Sequence, residues 1–234
     1  GNDPEFPLDG RYSLGGDLEL SGDNALPPIG KPEAPFTGWF FGNNHRISGL
    51  GWSSARDTFN GLFSVIGEGG EVHDLFLRNV SITHNGPVTG ALAGCNNGLI
   101  DNCHVTGRIV YDYYTNVRGG LVGENGASGT ILHSSAIAEI SAQGESIGGL
   151  AGRNLGAIRE SFFRGSVLGE KVVGGIAGCQ EKGSLYHSHA LGRVTALSEN
   201  AGGLAGMSTS AEMVECFASG EVVSGAGPAG GLIG

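Results

Sequence analysis

The stretch that decides the fold is GGLAGRNLGAIRESFFRGSV, residues 148–167. Four of its first nine residues are glycine, and each glycine inside a helix costs about 1 kcal/mol relative to alanine. Closely similar stretches occur elsewhere: GALAGCNNGLIDNCHVTGRI from residue 90, GGIAGCQEKGSLYHSHALGRV from residue 174 and GGLAGMSTSAEMVECFASGEV from residue 202. The sequence is therefore a tandem repeat, and the repeat unit determines the fold.

Two motifs in a fixed order make up the repeat. The first, GGLxG, is spaced at steps of 29, 29, 26, 28 and 28 residues and begins at Gly90, Gly119, Gly148, Gly174, Gly202 and Gly230. A degenerate copy, NGLFS, begins at Asn60. In the second motif, an apolar residue is followed by Ser or Cys, then Gly or Ala, then another apolar residue. It reads Ile100–Cys103–Gly107–Ile109, Ile131–Ser134–Ala138–Ile140, Ile158–Ser161–Gly165–Val167, Leu185–Ser188–Gly192–Val194 and Met213–Cys216–Gly220–Val222.

A period in the twenties predicts a solenoid, in which each repeat forms one coil. The glycines argue against helical repeats. The LxxLxLxxN pattern of leucine-rich repeats is missing, and the position after GGLxG lacks the Asp of calcium-binding β-rolls. We therefore predict an all-β, parallel β-helix (β-solenoid), which we expect to be right-handed. It would have about six coils of 26–30 residues plus an N-terminal capping segment, with coils about 4.8 Å apart.

The motifs also predict which residues face inward. The Ser/Cys position should form one inward ladder, and the Leu or Ile of GGLxG another: Leu92, Leu121, Leu150, Ile176, Leu204 and Leu232. Cys103 and Cys216 then share a column four coils apart, and Cys95 and Cys179 share another three coils apart. Both separations exceed the Cα distance of about 7 Å that a disulfide allows. Only Cys95–Cys103 stays open as a pair, and with no zinc-type spacing we expect isolated core thiols.

Composition limits the partners and the class of protein. The chain has 234 residues, 45 of them glycine, and a net charge of −10. This charge argues against nucleic acid or anionic lipid as a partner, since both require a basic surface. No run approaches the roughly 18 apolar residues of a membrane span, so we expect no membrane insertion.

The two ends of the sequence suggest a fragment. Residues 1–6, GNDPEF, read like a cloning-site remnant, and the final GGLIG repeats the opening of the motif. We expect residues 7–60 to form N-terminal strands and a cap, and residues 61–234 to form repeats that are truncated at the C-terminus. The interpretation is a monomeric fragment of a larger chain.

The repeat resembles the GLUG motif, GGLvGxNxGxIxxSxxxGxV. Residues 12–50 resemble the segment that usually precedes GLUG repeats: a Y-x-L-x-x-D-x-x-L strand, a P-I-G turn, then F-x-G-x-F-x-G-N-x-H-x-I, with Phe41 where Asp is more usual. The resemblance implies a β-helix of large secreted bacterial proteins. These include filamentous haemagglutinin-like adhesins and regions upstream of the zinc protease unit in IgA-cleaving enzymes. It also implies an extracellular or bacterial cell-surface location.

Several side chains are candidates for metal binding or catalysis. Asp17, Glu19 and Asp23 form an acidic cluster, but alternation in GDLEL is also typical of a solvated strand face, so we expect no metal site. The position before the Ser/Cys column should form an outward, structural His/Glu ladder: Asn102, His133, Glu160, His187 and Glu215. The acids look dispersed along the chain: Asp101, Glu124, Glu139, Glu160, Glu170 and Glu199. We therefore expect no catalytic residues and no cofactor.

Two aromatic groups stand out from the repeat. Tyr111, Tyr113 and Tyr114 lie in YDYYTN, where other repeats carry small polar residues. Aromatic rings on a loop offer faces for sugars or protein partners, so these tyrosines are the predicted ligand-binding residues. The WFF run at 39–41 is expected to plug the N-terminal end of the solenoid.

The function predicted from the sequence is a non-catalytic, elongated adhesion module of a large bacterial cell-surface or secreted adhesin. Its partner would be a host-surface protein or glycan. Two alternatives stay open. The chain could be an accessory, substrate-positioning region of a secreted IgA-cleaving zinc metalloprotease, or a glycan-binding or glycan-cleaving β-helix.

Overall fold

A computed structural model describes residues 5–20, 27–52, 58–82 and 86–234, with the side chains of 52 and 111–115 outside that description. In this part of the chain the secondary structure is all β, without a helix. The strands are β1 Arg11–Ser13, β2 Leu18–Glu19, β3 Trp39–Phe41, β4 Arg46–Ser48, β5 Gly51–Trp52, β6 Phe59–Asn60, β7 Phe63–Ile66, β8 Glu71–His73, β9 Phe76–Ile82, β10 Val88–Thr89, β11 Ala93–Asn96, β12 Leu99–Asp101, β13 His104–Gly119, β14 Val122–Asn125, β15 Thr130–Leu132, β16 Ser135–Gly148, β17 Ala151–Asn154, β18 Ala157–Arg159, β19 Phe162–Gly169, β20 Val172–Gly174, β21 Ala177–Glu181, β22 Ser184–Tyr186, β23 His189–Ala196, β24 Ala201–Gly202, β25 Ala205–Thr209, β26 Glu212–Val214, β27 Phe217–Ser219, β28 Val222–Ser224 and β29 Ala229–Gly230.

These strands form three parallel sheets. Sheet I has the order β1-β3-β8-β12-β15-β18-β22-β26, and sheet III has the order β25-β21-β17-β14-β11-β7. Sheet II contains 15 strands in two rows. The long strands β13 and β16 belong to both rows: their first halves pair with the first row, and their last residues pair with the second row, which includes β10 and β20. From β7 onward the chain visits sheets III, I and II in that order once per coil, and the whole stack has about seven turns. The predicted parallel β-solenoid is confirmed.

The Leu/Ile ladder faces inward as predicted. Leu92, Leu121, Leu150, Ile176 and Leu204 are at most 1% exposed. Leu232, in the last coil, is 49% exposed, because a ladder residue is covered from both sides only when a coil lies on each side of it. Burial of these side chains supplies the hydrophobic stabilisation of the stack, at about 25 cal/mol for each Å² removed from water.

The small-residue ladder is also confirmed, and its hydrogen bonds explain why Ser recurs. The Oγ of Ser134 donates to the carbonyl oxygen of Leu132 at 2.7 Å and accepts the backbone N–H of Cys103 at 3.0 Å. Ser161 repeats this pattern one coil later, donating to Arg159 and accepting the N–H of Ser134. Each buried hydroxyl is therefore satisfied within the wall of the solenoid.

A third buried ladder was not predicted. The side chains of Asn96, Asn125, Asn154 and Gln180 are fully buried. Each asparagine amide nitrogen donates to the side-chain carbonyl of the next member, at 2.8, 2.8 and 2.9 Å. The ladder stops opposite Ser208, where Gln180 Nε2 has no hydrogen-bond partner in the described part of the chain.

The turn from sheet I to sheet II uses left-handed backbone. The residue before the Ser/Cys column has a φ between 46° and 52° in five successive coils: Asn102, His133, Glu160, His187 and Glu215. Non-glycine residues adopt this conformation uncommonly. At this corner the side chains of four of them are 50% exposed or more: His133, Glu160, His187 and Glu215. The predicted outward ladder is therefore present, at a sharp bend of the backbone.

The expectation for the WFF run was wrong for two of its three rings. Trp39 lies under the guanidinium of Arg11, and Phe41 stacks on His73 at a ring distance of 5.3 Å, both on the outer side of sheet I. Only Phe40 faces inward, where its ring lies 5.7 Å from that of Phe63. The alternation of side chains along a strand explains the difference, because neighbouring residues of β3 face opposite sides.

Candidate functional site

The predicted tyrosines lie at an irregularity of sheet II. Tyr111 pairs with Ala142 and Thr115 pairs with Gly144, so four residue steps of β13 oppose two of β16. A bulge of this kind leaves residues unpaired and bends the strand. The side chains of Tyr111, Tyr113 and Tyr114 lie outside the described residues, so their role in binding remains a prediction.

A groove forms where the second row of sheet II packs against sheet III. The two layers meet at the last glycine of GGLxG: a Cβ at Gly152 would lie 2.4 Å from the backbone nitrogen of Arg118, and one at Gly178 would lie 2.5 Å from that of Ile147. Only glycine allows so close an approach. Ser146 joins the layers by donating to the carbonyl of Gly152 at 2.7 Å. Beyond this contact, side chains of both layers line an open channel.

We call this channel the axial groove. Its cavity volume is about 490 Å³, within the range of roughly 300–1,000 Å³ typical of ligand pockets. Its lining comes from four successive coils, from Asn116 to Met207, a distance of about 14 Å at the usual coil spacing. The groove therefore runs along the solenoid axis.

The wall that sheet III provides carries an acid–base–acid ladder. Arg153 lies between Glu124 and Glu181, one coil away on each side. Its Nη1 is 3.3 Å from Glu124, while its Nε and Nη2 donate to the two oxygens of Glu181 at 3.3 and 3.0 Å. The hydrogen bonds from Arg153 hold the pKa of Glu181 below its usual value, so this carboxylate is ionised at neutral pH.

The opposite wall repeats the pattern with lysine. Lys171 Nζ lies 3.9 Å from Glu145 and 3.8 Å from Glu199. The groove lining holds three carboxylates, Glu145, Glu181 and Glu199, and two cations, Arg153 and Lys171, a net charge of −1. Each cation is shared by two carboxylates, so the groove carries an excess of hydrogen-bond acceptors.

The floor of the groove is apolar and unreactive. Val172, Met207 and Cys179 contribute to it. Burial, reinforced by the neighbouring Glu181, raises the pKa of the Cys179 thiol to about 12. Because the thiolate is the reactive form of cysteine, this thiol is inert at neutral pH.

The other cysteines are also free thiols. Cys95 shares the outer column of sheet III with Cys179, as predicted, with Glu124 and Arg153 between them. The Cys95–Cys103 pair that the sequence left open is not bonded. Burial raises the pKa of both of these thiols to about 12.

The acids are less dispersed than the sequence suggests. Glu199 lines the same groove as Glu145 and Glu181, and Glu124 contacts the groove residue Arg153. Sequence reasoning placed them apart because it did not predict the back-to-back packing of two layers, which brings residues of four coils together. The lowered pKa of Glu181 suits an acceptor and not a proton donor, since a general acid at neutral pH needs a raised pKa.

A second polar network lies at the corner between sheets I and II. Asp101 is 2.9 Å from Nδ1 of His133 and 3.8 Å from Nδ1 of His73. The outer nitrogens of these imidazoles lie 3.3 Å from Glu160 and 2.8 Å from Glu71. The hydrogen bond to Asp101 raises the pKa of His133. These contacts connect four coils and support the structural interpretation of the His/Glu ladder.

An aromatic stack on sheet II was missed in the sequence. His189 lies between Phe162 and Phe217, with ring distances of 5.3 and 4.7 Å and interplanar angles of 7° and 2°. Both faces of the His189 ring are therefore covered by neighbouring rings, whereas Phe217, at the end of the column, is 52% exposed.

The N-terminal acids also have protein partners. Arg46 Nε is 3.2 Å from Asp17 and 3.6 Å from Glu19, and its backbone N–H donates to Asp17. The backbone hydrogen bond is the main reason why the pKa of Asp17 is lowered. Asp23, the third acid of the sequence cluster, lies outside the described residues.

Comparison with known proteins finds two curated proteins that are similar to part of the chain. It is 34% identical over 135 residues to Halomucin of Haloquadratum walsbyi, an alignment that covers 54% of this chain and 1% of Halomucin. It is 38% identical over 101 residues to a "Putative Gly-rich membrane protein" of Evansella cellulosilytica, covering 40% of this chain and 12% of that protein. The chain thus spans a small part of either relative. In the described residues, no helix is long and apolar enough to cross a membrane.

One solved structure has the same fold. The crystal structure of a "putative immunoglobulin A1 protease" from Bacteroides ovatus superposes with a TM-score of 0.73, covering 92% of this chain and 70% of that one, at 21% identity. Identity at this level establishes the fold alone. No family model matches the sequence, so assignment of the repeat to the GLUG motif remains a prediction.

Proposed function

We propose that this chain is a non-catalytic, elongated binding module of a large cell-surface or secreted protein. The observation that supports it is the system of three buried ladders, of Leu/Ile, Ser/Cys and Asn/Gln, that join successive coils. Each ladder fixes the register between coils, so the outward side chains keep constant positions along one axis. A rigid rod with a defined outer surface is suited to holding a binding site away from its anchor.

An extracellular location is consistent with the cysteine chemistry. Cys95, Cys103 and Cys179 are buried, each with its pKa raised to about 12. Thiols in this state react slowly with disulfides and oxidants. The similarity to a protein named as a membrane protein supports the same location.

A second function is favoured by the structural neighbour. The putative immunoglobulin A1 protease shares the fold over 92% of this chain. In that context the solenoid would position an immunoglobulin substrate for a catalytic unit elsewhere in a larger protein. The axial groove would then contact the substrate without cleaving it.

Binding assays with the purified chain separate these functions. The chain is immobilised and exposed to epithelial cells, to a glycan array, and to immunoglobulin A1 with immunoglobulin G as the control. Saturable binding to cells or to one glycan class supports adhesion, whereas selective binding to immunoglobulin A1 supports the protease-associated role. Absence of saturable binding to all of these surfaces contradicts the proposal. Release of reducing sugar from a bound glycan contradicts its non-catalytic part.

The same assay tests the tyrosines. Replacement of Tyr111, Tyr113 and Tyr114 by alanine should keep the fold, because a bulge adds little to coil stacking. If the bulge carries the contact, affinity should fall at least tenfold, equivalent to about 1.4 kcal/mol. Unchanged affinity would place the contact elsewhere on the solenoid.

A further inference from the structure

The axial groove has the charge and shape of a peptide-binding channel. We propose that it binds an extended polypeptide segment bearing lysine or arginine side chains. This inference rests on the proposed binding function and names the chemistry of the partner.

The distribution of charge supports a cationic ligand. Lys171 is shared between Glu145 and Glu199 at 3.9 and 3.8 Å, distances too long for strong charge-assisted hydrogen bonds. These two carboxylates are 56% and 49% exposed, so they can accept hydrogen bonds from a ligand. An anionic ligand would instead face a channel of net charge −1.

The opposite wall is fixed and keeps the groove open. Arg153 makes a bidentate contact with Glu181 and a further contact with Glu124. Bidentate pairs hold their geometry more firmly than single contacts. This wall therefore acts as a rigid support, while the carboxylates beside Lys171 are exposed enough to contact the ligand.

The shape of the groove suits an extended chain. A length of about 14 Å accommodates roughly four residues of extended peptide, at about 3.3 Å for each residue. Val172 and Met207 on the floor can pack against the aliphatic stems of lysine or arginine, whose charged ends then reach the carboxylates. The described lining contains no aromatic ring, so stacking of a sugar ring has no platform there.

The test is fluorescence anisotropy with fluorescein-labelled hexalysine. The double variant Glu145→Gln/Glu199→Gln should weaken binding at least tenfold. The matched control is Glu68→Gln/Glu139→Gln, which makes the same change of net charge at two exposed sites outside the groove and should change affinity less than twofold. Lys171→Gln removes the competing cation and should tighten binding several-fold.

Three results would overturn the proposal. Equal weakening by the groove and control variants would show non-specific attraction to an acidic protein. Weaker binding by Lys171→Gln would contradict the role of Lys171 as a competitor. Displacement of hexalysine from the groove by the neutral hexamer of N-acetylglucosamine at equal or lower concentration would identify a glycan site instead.

The proposal for the groove can fail while the proposed binding function of the whole chain stands. If cells or immunoglobulin A1 bind the Glu145→Gln/Glu199→Gln variant as well as the unmodified chain, the groove assignment fails and the binding function stands. All substituted side chains are at least partly exposed, so folding should be preserved, as checked by circular dichroism. If the double variant nevertheless unfolds, the two single variants test the proposal: Lys171→Gln should tighten hexalysine binding, and Glu199→Gln should weaken it.

Discussion

The buried amide ladder makes the most direct prediction about stability. In Asn125→Asp, the shape of the side chain is kept and one donor is lost. Asn125 Nδ2 donates to Asn154 Oδ1 at 2.8 Å, and its Oδ1 accepts from Asn96 Nδ2 at 2.8 Å. An aspartate can still accept from Asn96, but its ionised carboxylate faces the carbonyl oxygen of Asn154 with no proton between them.

The expected loss of stability follows from these contacts. An unpartnered buried acceptor at Asn154 costs about 1–3 kcal/mol, and burying a carboxylate that has only one donor adds a further penalty of about 2 kcal/mol or more. We expect a total of about 4 kcal/mol at pH 7. For a chain of this size that corresponds to a decrease in Tm of roughly 8–16 °C.

The assay is urea denaturation followed by circular dichroism, with Asn97→Asp as the matched control. Asn97 is one residue from the ladder and partly exposed, so the same change should cost less than about 1 kcal/mol there. Burial should raise the pKa of the new carboxyl above its unfolded value of about 3.9, so the penalty at residue 125 should shrink as the pH falls from 7 towards 4, because a protonated carboxyl can donate to Asn154. Equal effects of the two variants, or a pH-independent loss at residue 125, would refute the role assigned to the ladder.

Three further predictions concern other columns of the solenoid. Leu150→Asp places a carboxylate in the inward ladder and should cost several kcal/mol, whereas Glu160→Ala at the exposed corner should cost less than about 1 kcal/mol. Similar urea midpoints for the two variants would mean that the inward and outward positions are wrongly assigned. Because the folded-state pKa of His133 is raised, its contribution to stability should be present below the unfolded pKa of about 6.5 and lost as pH rises through the folded value. If the Tm of His133→Asn declines over this pH range as much as the Tm of the unmodified chain, this role of His133 is contradicted. Ser208→Asn should give Gln180 Nε2 an acceptor and raise Tm by a few degrees; a lower Tm would show that the ladder cannot be extended.

The sequence by itself determined the repeat and the class of fold. The period of 26–29 residues and the glycines of GGLxG exclude helical repeats. The residue type that recurs at a repeated position predicts whether its side chain faces inward or outward, because equivalent side chains stack on one another in successive coils. For that reason the sequence alone predicts the Leu/Ile and Ser/Cys ladders and the outward corner ladder.

Polar side chains at the turns were harder to place. Asn125 and Asn154 recur in the repeat as clearly as the leucines, but a polar residue in a turn is usually exposed. Their burial depends on the partner amide in the next coil, which satisfies both the donor and the acceptor. The repeated Asn of GxN is visible in the sequence, but whether this side chain is buried depends on a hydrogen bond to the next coil.

Only the tertiary structure determined the axial groove. Glu145, Glu181 and Glu199 are far apart in the sequence and lie on two different layers of the solenoid. They come together because the glycines at 152 and 178 let the second row of sheet II pack directly on sheet III. A repeat pattern specifies which residues stack along the axis, but it does not specify which faces of one coil fold against each other. That packing depends on close backbone contact between layers, and it is what gathers scattered charges into a single channel.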